Sequence, residues 1–300
     1  MARRWFHSPK YTVDVGAHTF PTIKFQKTAE ALVERGVLRE VDRVEPELPV
    51  RDDLLLVHTA EWCTRVLEGT MTLDDEMRAE LPWSKALALA HSLAVSGTLL
   101  AAREALAAGL GIHVGGGAHH AFADHGEGFC LLNDLAVTAE RLRRGGLAKK
   151  VLICDLDVHQ GNGTAAIFRG SLDVFTFSMH QEEGYPEKRE RSSIDVALPT
   201  GTKDREYQDA LTHRFPAALD AHRPDLVLYQ AGVDVHEKDQ LGSLKLTTQG
   251  VAARDRFVFE ACSRRAIPIA LTLGGGYSPR LGDTVSLHVR TVREALAVFP

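Results

Sequence analysis

Cysteine is scarce in this chain and shows no spacing typical of a disulfide framework or a zinc module. The sequence has four cysteines, none of them in a CxxC pair and each among apolar neighbours: Cys63, Cys130, Cys154 and Cys262. Small disulfide-rich domains and cysteine-ligated zinc modules need paired or regularly spaced cysteines. We therefore expect reduced thiols in the core of a cytoplasmic protein.

An excess of basic residues is also absent. The 300 residues include 35 Lys and Arg against 40 Asp and Glu, which gives a net charge of -5. Domains that bind nucleic acid usually present a basic surface, so we expect no nucleic-acid partner. The hydrophobic content of 44% and the charged content of 25% are typical of a folded globular protein.

Long uninterrupted hydrophobic runs are missing too. The most apolar stretch, residues 86–102, contains a histidine and three hydroxyl residues, and Arg103 and Glu104 follow it. A membrane span needs about 20 predominantly apolar residues, so this stretch predicts a buried helix and no membrane association. Residues 1–14 contain two arginines without a following apolar segment, which argues against a secretory signal.

Predicted strands and helices alternate along most of the chain. The predicted strands cover residues 111–114, 151–154, 174–178, 225–229 and 267–273. The predicted helices cover residues 24–35, 61–67, 85–108, 133–144, 207–221, 249–265 and 283–298. This alternation is typical of an α/β fold with a mostly parallel open sheet and helices on both faces. No linker-like stretch divides the sequence, so we predict a single domain over residues 1–300.

The segment VLICDLDVHQGNGT, residues 151–164, carries potential metal ligands directly after a predicted buried strand. In an extended chain Asp155, Asp157 and His159 would point the same way. They would then meet at the carboxyl end of the strand, where open α/β sheets place their ligand sites. Taken alone, the segment is equally compatible with a helix-capping aspartate and a histidine that binds no metal.

Asp234 favours the metal interpretation. It lies in AGVDVH, directly after the predicted strand at residues 225–229. Together with Asp157 and His159 it forms a set of two carboxylates and one imidazole, which leaves coordination positions for water and substrate, as a catalytic zinc site requires. His236, two residues further on, could be a fourth ligand, a residue at the rim or a solvated side chain, and we favour the last two interpretations.

Two glycine-rich turns precede further candidate residues. Residues 115–117 are glycines just before His119 and His120, and residues 274–276 are glycines just before Tyr277. Glycine permits tight turns and close approach to a ligand. The histidine pair could transfer protons or bind metal, and the glycines favour proton transfer. Tyr277 could direct its hydroxyl at a bound carbonyl or simply be a buried aromatic residue.

Five motifs in this order resemble those of the zinc-dependent histone deacetylase family: GGGAHHA, EGFCLLND, DLDVHQGNGT, AGVDVHEKDQLG and LGGGY. The resemblance extends from about Tyr11 to the last predicted helix and implies the arginase/deacetylase fold. The HQGNG form, with Gln160 and Asn162, is most similar to class IV deacetylases and their bacterial relatives. Class I members tend to read HHGDG instead.

The resemblance implies an amidohydrolase that removes acetyl or longer acyl groups from lysine side chains with zinc. Asp157, His159 and Asp234 would be the zinc ligands. A structural monovalent cation, K⁺, would lie against backbone oxygens and one carboxylate of a second set of residues. That set is Asp155, Asp157, His159, Ser178 and Met179.

The resemblance also implies roles in proton transfer. His120 would be the general base and later the general acid, and His119 would give electrostatic support. Asp155 would orient His119, and Asn162 would be the partner of His120. Tyr277 would polarise the scissile carbonyl. Because Asn162 is neutral, we expect the pKa of His120 to be lower than with an aspartate partner.

Substrate contacts are expected from two segments. By resemblance, Gly128 and Phe129 would grip the acyl-lysine. The charged segment at residues 181–195 predicts a solvated loop at the mouth of the site, where Tyr185 could line the acyl tunnel.

Other activities fit the sequence less well. The substrate could be an acylated protein, a peptide or a small acyl-amine such as an acylpolyamine. A catalytically silent acyl-lysine-binding module is disfavoured because every chemical position holds a competent residue. An arginase-like site with two metal ions would need further clustered aspartates, which the DLDVH segment does not provide.

Overall fold

The computed structural model describes residues 3–300 of the chain. Its strands are β1 (Trp5–Phe6), β2 (Arg43–Val44), β3 (Leu110–His113), β4 (Val151–Asp155), β5 (Val174–Gln181), β6 (Ile194–Leu198), β7 (Leu226–Gln230) and β8 (Ile269–Thr272). Its α-helices are α1 (Lys24–Glu34), α2 (Arg51–Leu54), α3 (Ala60–Glu68), α4 (Leu73–Ala79), α5 (Lys85–Ala108), α6 (Asp134–Arg144), α7 (Asn162–Ile167), α8 (Asp204–His222), α9 (Thr248–Ser263) and α10 (Leu281–Val298).

The strands in residues 3–300 form one eight-stranded sheet with the order β2-β1-β3-β8-β7-β4-β5-β6. Every neighbouring pair is parallel. From β4 the chain first adds β5 and β6 on one side and later β7 and β8 on the other, so the strand order reverses between β4 and β7. Open parallel sheets bind ligands at such a reversal, outside the carboxyl ends of the strands.

Helices cover both faces of the sheet, and the alternation of side chains within each strand explains why. In β4, Leu152 and Cys154 join a core cluster with residues of α1, α8, α9 and α10. Val151 and Ile153 point the other way and join a cluster with residues of α5 and α6. Because both faces of the strand are buried, its sequence is continuously apolar. The predicted fold class is therefore confirmed.

Helix α5 is the apolar helix predicted at residues 85–108, with the same bounds. The Ser84 hydroxyl accepts a hydrogen bond from the Leu87 amide at its start, and Gly109 ends it with φ of 84°. By length and composition this helix could cross a membrane, but 56% of its most apolar window is buried inside the protein. It packs between the sheet and α6 as a core helix. The four cysteines are free and buried, as predicted.

The other predicted strands and helices agree with the structure to within three residues at their ends. The sequence analysis missed β1 and β2, because two residues are too few to show a periodicity. It also missed the short helices α2 and α4.

The segment at residues 181–195 is only partly the predicted loop, since Gln181 ends β5 and Ile194 begins β6. Strand β6 lies at the edge of the sheet and is only partly buried, whereas β4 is buried throughout. Its sequence is therefore not continuously apolar, and the sequence analysis missed it.

A buried ion pair on α9 holds the loops that follow β4 and β7. The Arg254 guanidinium contacts the Asp255 carboxylate at 2.8 Å, and both side chains are fully buried. The same guanidinium donates hydrogen bonds to the carbonyl oxygens of Leu156 at 3.0 Å and Gly232 at 2.6 Å. Arg254 thus fixes the backbone of both loops from beneath.

We predict that Arg254→Met lowers the free energy of unfolding by about 3–5 kcal/mol, because it leaves the Asp255 carboxylate buried without its cation. Denaturant unfolding followed by circular dichroism would measure the loss. Arg264→Met is the matched control, since the side chains of Arg264, at the end of the same helix, and of its partner Glu260 are both about half exposed. Its loss should be about 0–1 kcal/mol. Equal small losses in both variants would contradict the prediction.

Candidate active site and metal centre

Asp157, His159 and Asp234 come together at the reversal of strand order between β4 and β7. Their potential ligand atoms all lie within 4.8 Å of one another, and all three residues are buried. The His159 Nδ1 atom lies 3.1 Å from Asp157 Oδ1 and 3.5 Å from Asp234 Oδ2. Strand β4 already ends at Asp155, so Asp157 and His159 lie on the bends that follow. The expectation that the chain stays extended from Asp155 to His159 is therefore wrong.

Backbone and side-chain donors fix the Asp157 carboxylate. Its Oδ2 atom accepts hydrogen bonds from Gln230 Nε2 at 2.8 Å and from the Gly275 amide at 3.0 Å. A Cβ atom on Gly275 would collide with the carboxylates of Asp157 and Asp234, so this position requires glycine. Gln230 was missed by the sequence analysis, although a polar residue at the end of the apolar strand LVLYQ is a usable signal.

Asp234 has one buried oxygen without a partner among the described residues. Its Oδ1 atom accepts a hydrogen bond from the Val158 amide at 2.9 Å, whereas its Oδ2 atom has none. Buried carboxylate oxygens normally have a bonding partner, so an oxygen of this kind is available to bind an ion. It points toward His159, which is the geometry expected of a metal ligand.

The protonation states of the set reflect its concentrated negative charge. Burial and the neighbouring Asp157 carboxylate raise the pKa of Asp234 to about 7. Burial opposes protonation of His159, but the carboxylates of Asp157 and Asp234 outweigh it and raise the pKa of this histidine to about 10. The two carboxylates therefore need a cation between them, either the imidazolium or a metal ion.

The glycine turn after β3 places His119 and His120 against this set. Gly116 and Gly117 have φ of 71° and 90°, which favour glycine. The Asp134 carboxylate accepts hydrogen bonds from the amides of Gly117 at 3.0 Å and Ala118 at 2.7 Å and so fixes the turn.

The two histidines have different partners and opposite pKa shifts. Asp155 Oδ2 lies 2.6 Å from His119 Nδ1. Burial lowers the pKa of His119, but Asp155 and Asp157 outweigh this effect and raise it to about 9. His120 Nδ1 lies 2.7 Å from the neutral amide oxygen of Asn162. Burial, followed by the charges of neighbouring histidines, holds its pKa well below 6.5, so His120 is a neutral imidazole.

Tyr277 closes the opposite side of the site. Its amide donates a hydrogen bond to Asp239 Oδ2 at 2.7 Å, which fixes the end of the glycine turn. Burial raises the pKa of the phenol well above 10, so its hydroxyl remains a proton donor. The Lys24 ammonium is buried 4.6 Å from the centre of the Tyr277 ring, and burial lowers the pKa of Lys24 to about 8. The sequence analysis did not identify Lys24 as part of the site.

A mostly apolar cavity lies against the site. His119, His120, Asp157 and Tyr277 line its inner end, together with Gly128 and Phe129. A second cavity is lined by Tyr185 and, again, by Gly128, Phe129 and Tyr277. The Phe129 ring lies 5.9 Å from that of Tyr277.

Tyr185 packs more deeply than a residue of an exposed loop would. Its ring stands edge-on to His120, with centroids 4.9 Å apart, and lies 5.8 Å from His159. Its hydroxyl donates a hydrogen bond to Glu127 Oε1 at 3.3 Å. Gln160 ties this segment to the site, because its amide group donates to the Glu190 carbonyl at 2.7 Å.

Three further predicted residues lie outside the cavity. His236 is only 3% exposed and its Nε2 atom lies 3.3 Å from the Thr248 hydroxyl, so the favoured interpretation of a rim or solvated residue is wrong. It does not belong to the ligand cluster found among residues 3–300. Ser178 lies beside Asp155 in the neighbouring strand, and Met179 is buried. Their role in binding a monovalent cation stays a prediction.

Comparisons with known proteins agree with this architecture. The family model described as the histone deacetylase domain matches residues 18–292. An uncharacterized protein of Picosynechococcus sp. is 42% identical over 98% of both chains. Histone deacetylase 2 of Arabidopsis thaliana is 32% identical over 87% of this chain and 70% of its own length.

A solved structure, the crystal structure of the HDA15 HD domain, superposes with a TM-score of 0.78 and covers 98% of this chain and 93% of that one. At 24% identity it bears on the fold alone. The match to the family model, in contrast, includes the glycine turns, the ligand cluster and Tyr277. The chain therefore belongs to the histone deacetylase family, a family of deacetylase hydrolases.

Proposed function

We propose that this protein is a zinc-dependent hydrolase that removes acetyl or longer acyl groups from the ε-amine of lysine side chains. One observation carries the proposal: a neutral histidine, a tyrosine and the Asp157 carboxylate of an incompletely satisfied ligand set line one apolar cavity. These are the parts that metal-assisted amide hydrolysis requires.

Asp157, His159 and Asp234 would hold the ion. Two oxygens and one nitrogen form a donor set suited to zinc, and the unpartnered Oδ2 atom of Asp234 leaves a bonding direction for it. When bound, zinc would act as a Lewis acid and lower the pKa of an attacking water.

His120 would carry out the proton transfers. Because its imidazole is neutral, it can accept a proton from the attacking water as the C–O bond forms. The same proton would then pass to the lysine nitrogen, so that the C–N bond breaks and the amine leaves. His119, held protonated by Asp155, would supply a fixed positive charge 4.0 Å away between ring centres.

Tyr277 would stabilise the negative charge that develops on the carbonyl oxygen. Its hydroxyl is a donor at the cavity wall, and in a site with little water such a donor acts strongly on the developing charge. Its fixed backbone limits reorganisation during the reaction.

The cavity supports acyl groups longer than acetyl. Beyond the ligand set it is lined by apolar side chains, among them Phe20, Phe25 and Leu87. An alkyl chain of several carbons could be buried there with a gain of about 0.8 kcal/mol per methylene.

We further propose that the chain is one catalytic domain of the class IV type. All eight strands of residues 3–300 belong to one sheet, and Gln160 and Asn162 carry the subclass resemblance. A cytoplasmic location is supported by the free, buried cysteines.

We predict that the zinc-loaded protein deacylates lysine peptides and that Tyr277→Phe lowers kcat by about 10²–10³-fold, as the loss of one oxyanion donor does. A mass-spectrometric assay would use peptides with acetyl to long acyl groups, and acetylpolyamines in parallel. Lys27→Met, on the outer face of α1, is the control and should keep full activity. Full turnover of Tyr277→Phe would refute its role, and preference for the polyamines would refute the protein substrate.

We predict that the protein binds one Zn²⁺ per chain and that its apparent affinity rises about tenfold per pH unit between pH 7 and 9, and more steeply below pH 7, where the proton of Asp234 must be displaced as well. Metal uptake must displace the proton of His159, whose pKa is raised to about 10 without metal. Equilibrium dialysis at several pH values would measure this dependence. Asp157→Ala should abolish zinc binding. Asp75→Asn should not, because this carboxylate of α4 pairs with Arg65 of α3. Unchanged binding by Asp157→Ala would exclude the proposed ligand set.

We predict that Asn162→Asp shifts the acidic limb of the kcat/KM profile to higher pH. A carboxylate beside His120 stabilises the imidazolium and raises its pKa, so the neutral base is lost at a higher pH than in the wild type. A pH–rate profile over pH 5–9 would measure the shift. A limb that stays in place or moves to lower pH would rule out this account.

A further inference from the structure

We propose that Glu127 is a positioning residue for the acid–base histidine, because its carboxylate holds the Asn162 amide in the orientation that leaves His120 Nε2 as the proton acceptor. The inference rests on the function proposed above. It concerns a residue outside the ligand set and outside the histidine pair.

Three hydrogen bonds define the orientation of the amide. Asn162 Nδ2 donates to Glu127 Oε1 at 2.6 Å. Asn162 Oδ1 lies 2.7 Å from His120 Nδ1 and accepts a second hydrogen bond from the Gly163 amide at 3.0 Å. Asn162 and His120 are both buried, so water does not compete for these contacts.

The donor and acceptor chemistry permits one arrangement. An ionised carboxylate only accepts hydrogen bonds, so it requires the NH₂ end of the amide. The carbonyl end of Asn162 then faces His120, and a carbonyl requires a proton on Nδ1. A neutral imidazole carries one proton, so Nε2 is left as the acceptor.

The reversed amide would disable the base. With its NH₂ end toward His120, Nδ1 would have to accept and Nε2 would carry the proton. An aspartate in place of Asn162 would not raise this difficulty, because both of its oxygens accept. The neutral partner therefore needs other groups to fix its orientation: the Gly163 amide favours the carbonyl end on one side, and the Glu127 carboxylate requires the NH₂ end on the other.

Glu127 remains ionised although it is half buried. Burial raises its pKa, but the His125 side chain 3.8 Å away and hydrogen bonds from Asn162 and Tyr185 outweigh the effect and lower it below 4.5. The oxygen that binds Asn162 also accepts from the Tyr185 hydroxyl, whose ring packs against His120. One carboxylate thus fixes both the partner of His120 and the wall beside it.

A double-mutant cycle between Glu127→Gln and Asn162→Asp tests the proposal. In the wild type, Glu127→Gln should lower kcat by about 10–100-fold with little change in KM, because the glutamine no longer dictates the amide orientation. In the Asn162→Asp background the same substitution should raise kcat, because it removes repulsion between two adjacent carboxylates. Equal losses of kcat in the wild-type and Asn162→Asp backgrounds would overturn the proposal. A purely structural contribution of Glu127 would be lost whichever residue stands at position 162.

A second readout is independent of turnover. In protein labelled with ¹⁵N-histidine, the wild type should show His120 with its proton on Nδ1, and Glu127→Gln should show a mixture of the two tautomers. The His120 signals are assigned from their absence in His120→Asn. If Glu127→Gln left the His120 tautomer unchanged, the inference would be overturned, whether or not any acyl substrate is hydrolysed. If the tautomers were as expected but no acyl substrate were hydrolysed, only the proposed function would be contradicted.

Two controls separate positioning from packing. Tyr185→Phe removes only the hydroxyl that contacts Glu127 and should leave the His120 tautomer on Nδ1. Thermal unfolding and zinc content should match the wild type in each variant. A mixture of His120 tautomers in Tyr185→Phe would mean that the packing of Tyr185, and not Glu127, determines the tautomer, and would overturn the proposal.

Discussion

The close approach of the Asp157 and Asp234 carboxylates is the constraint on which the rest of the site depends. Removing two carboxylates from water costs several kcal/mol for each ion unless other groups replace the lost hydration. Backbone amides, Gln230 and the imidazole of His159 supply part of this replacement. The Oδ2 atom of Asp234 shows that the replacement is incomplete. A bound divalent ion, as proposed above, would complete this replacement. With only three protein ligands, such an ion would keep coordination positions for water and substrate.

The negative charge also sets the proton states of the neighbouring histidines. His119 and His120 are adjacent in sequence and equally buried, yet the pKa of one is raised and that of the other is lowered. Asp155 is a carboxylate and Asn162 is a neutral amide, so the partner decides the direction. A charged and a neutral imidazole therefore lie side by side, which suits one to electrostatic support and the other to accepting a proton.

The sequence predicted what depends on local pattern. Buried parallel strands such as β4 appear in the sequence as short apolar runs, and long helices such as α5 are recognisable from their composition and capping residues. Both kinds of element were therefore predicted correctly. The ligand cluster was found because its members follow strands that end at one edge. Arg254 and Gln230 escaped notice because their partners lie far away in sequence, as with the 98 residues that separate Arg254 from Leu156.

Orientation within the site was the part that no sequence pattern could supply. His236 was expected at the rim or in solvent, but in the folded chain it is buried next to the Thr248 hydroxyl. For Glu127 the spacing to Asn162 is 35 residues, and only the folded chain brings them together. From the sequence alone, Asn162 is expected only to stabilise the imidazolium of His120 less than an aspartate would. In the structure the Asn162 amide lies between His120 and the Glu127 carboxylate, so the negative charge is one residue farther from the imidazole. The neutral partner and the distant carboxylate together keep His120 both uncharged and correctly protonated, which neither could do alone.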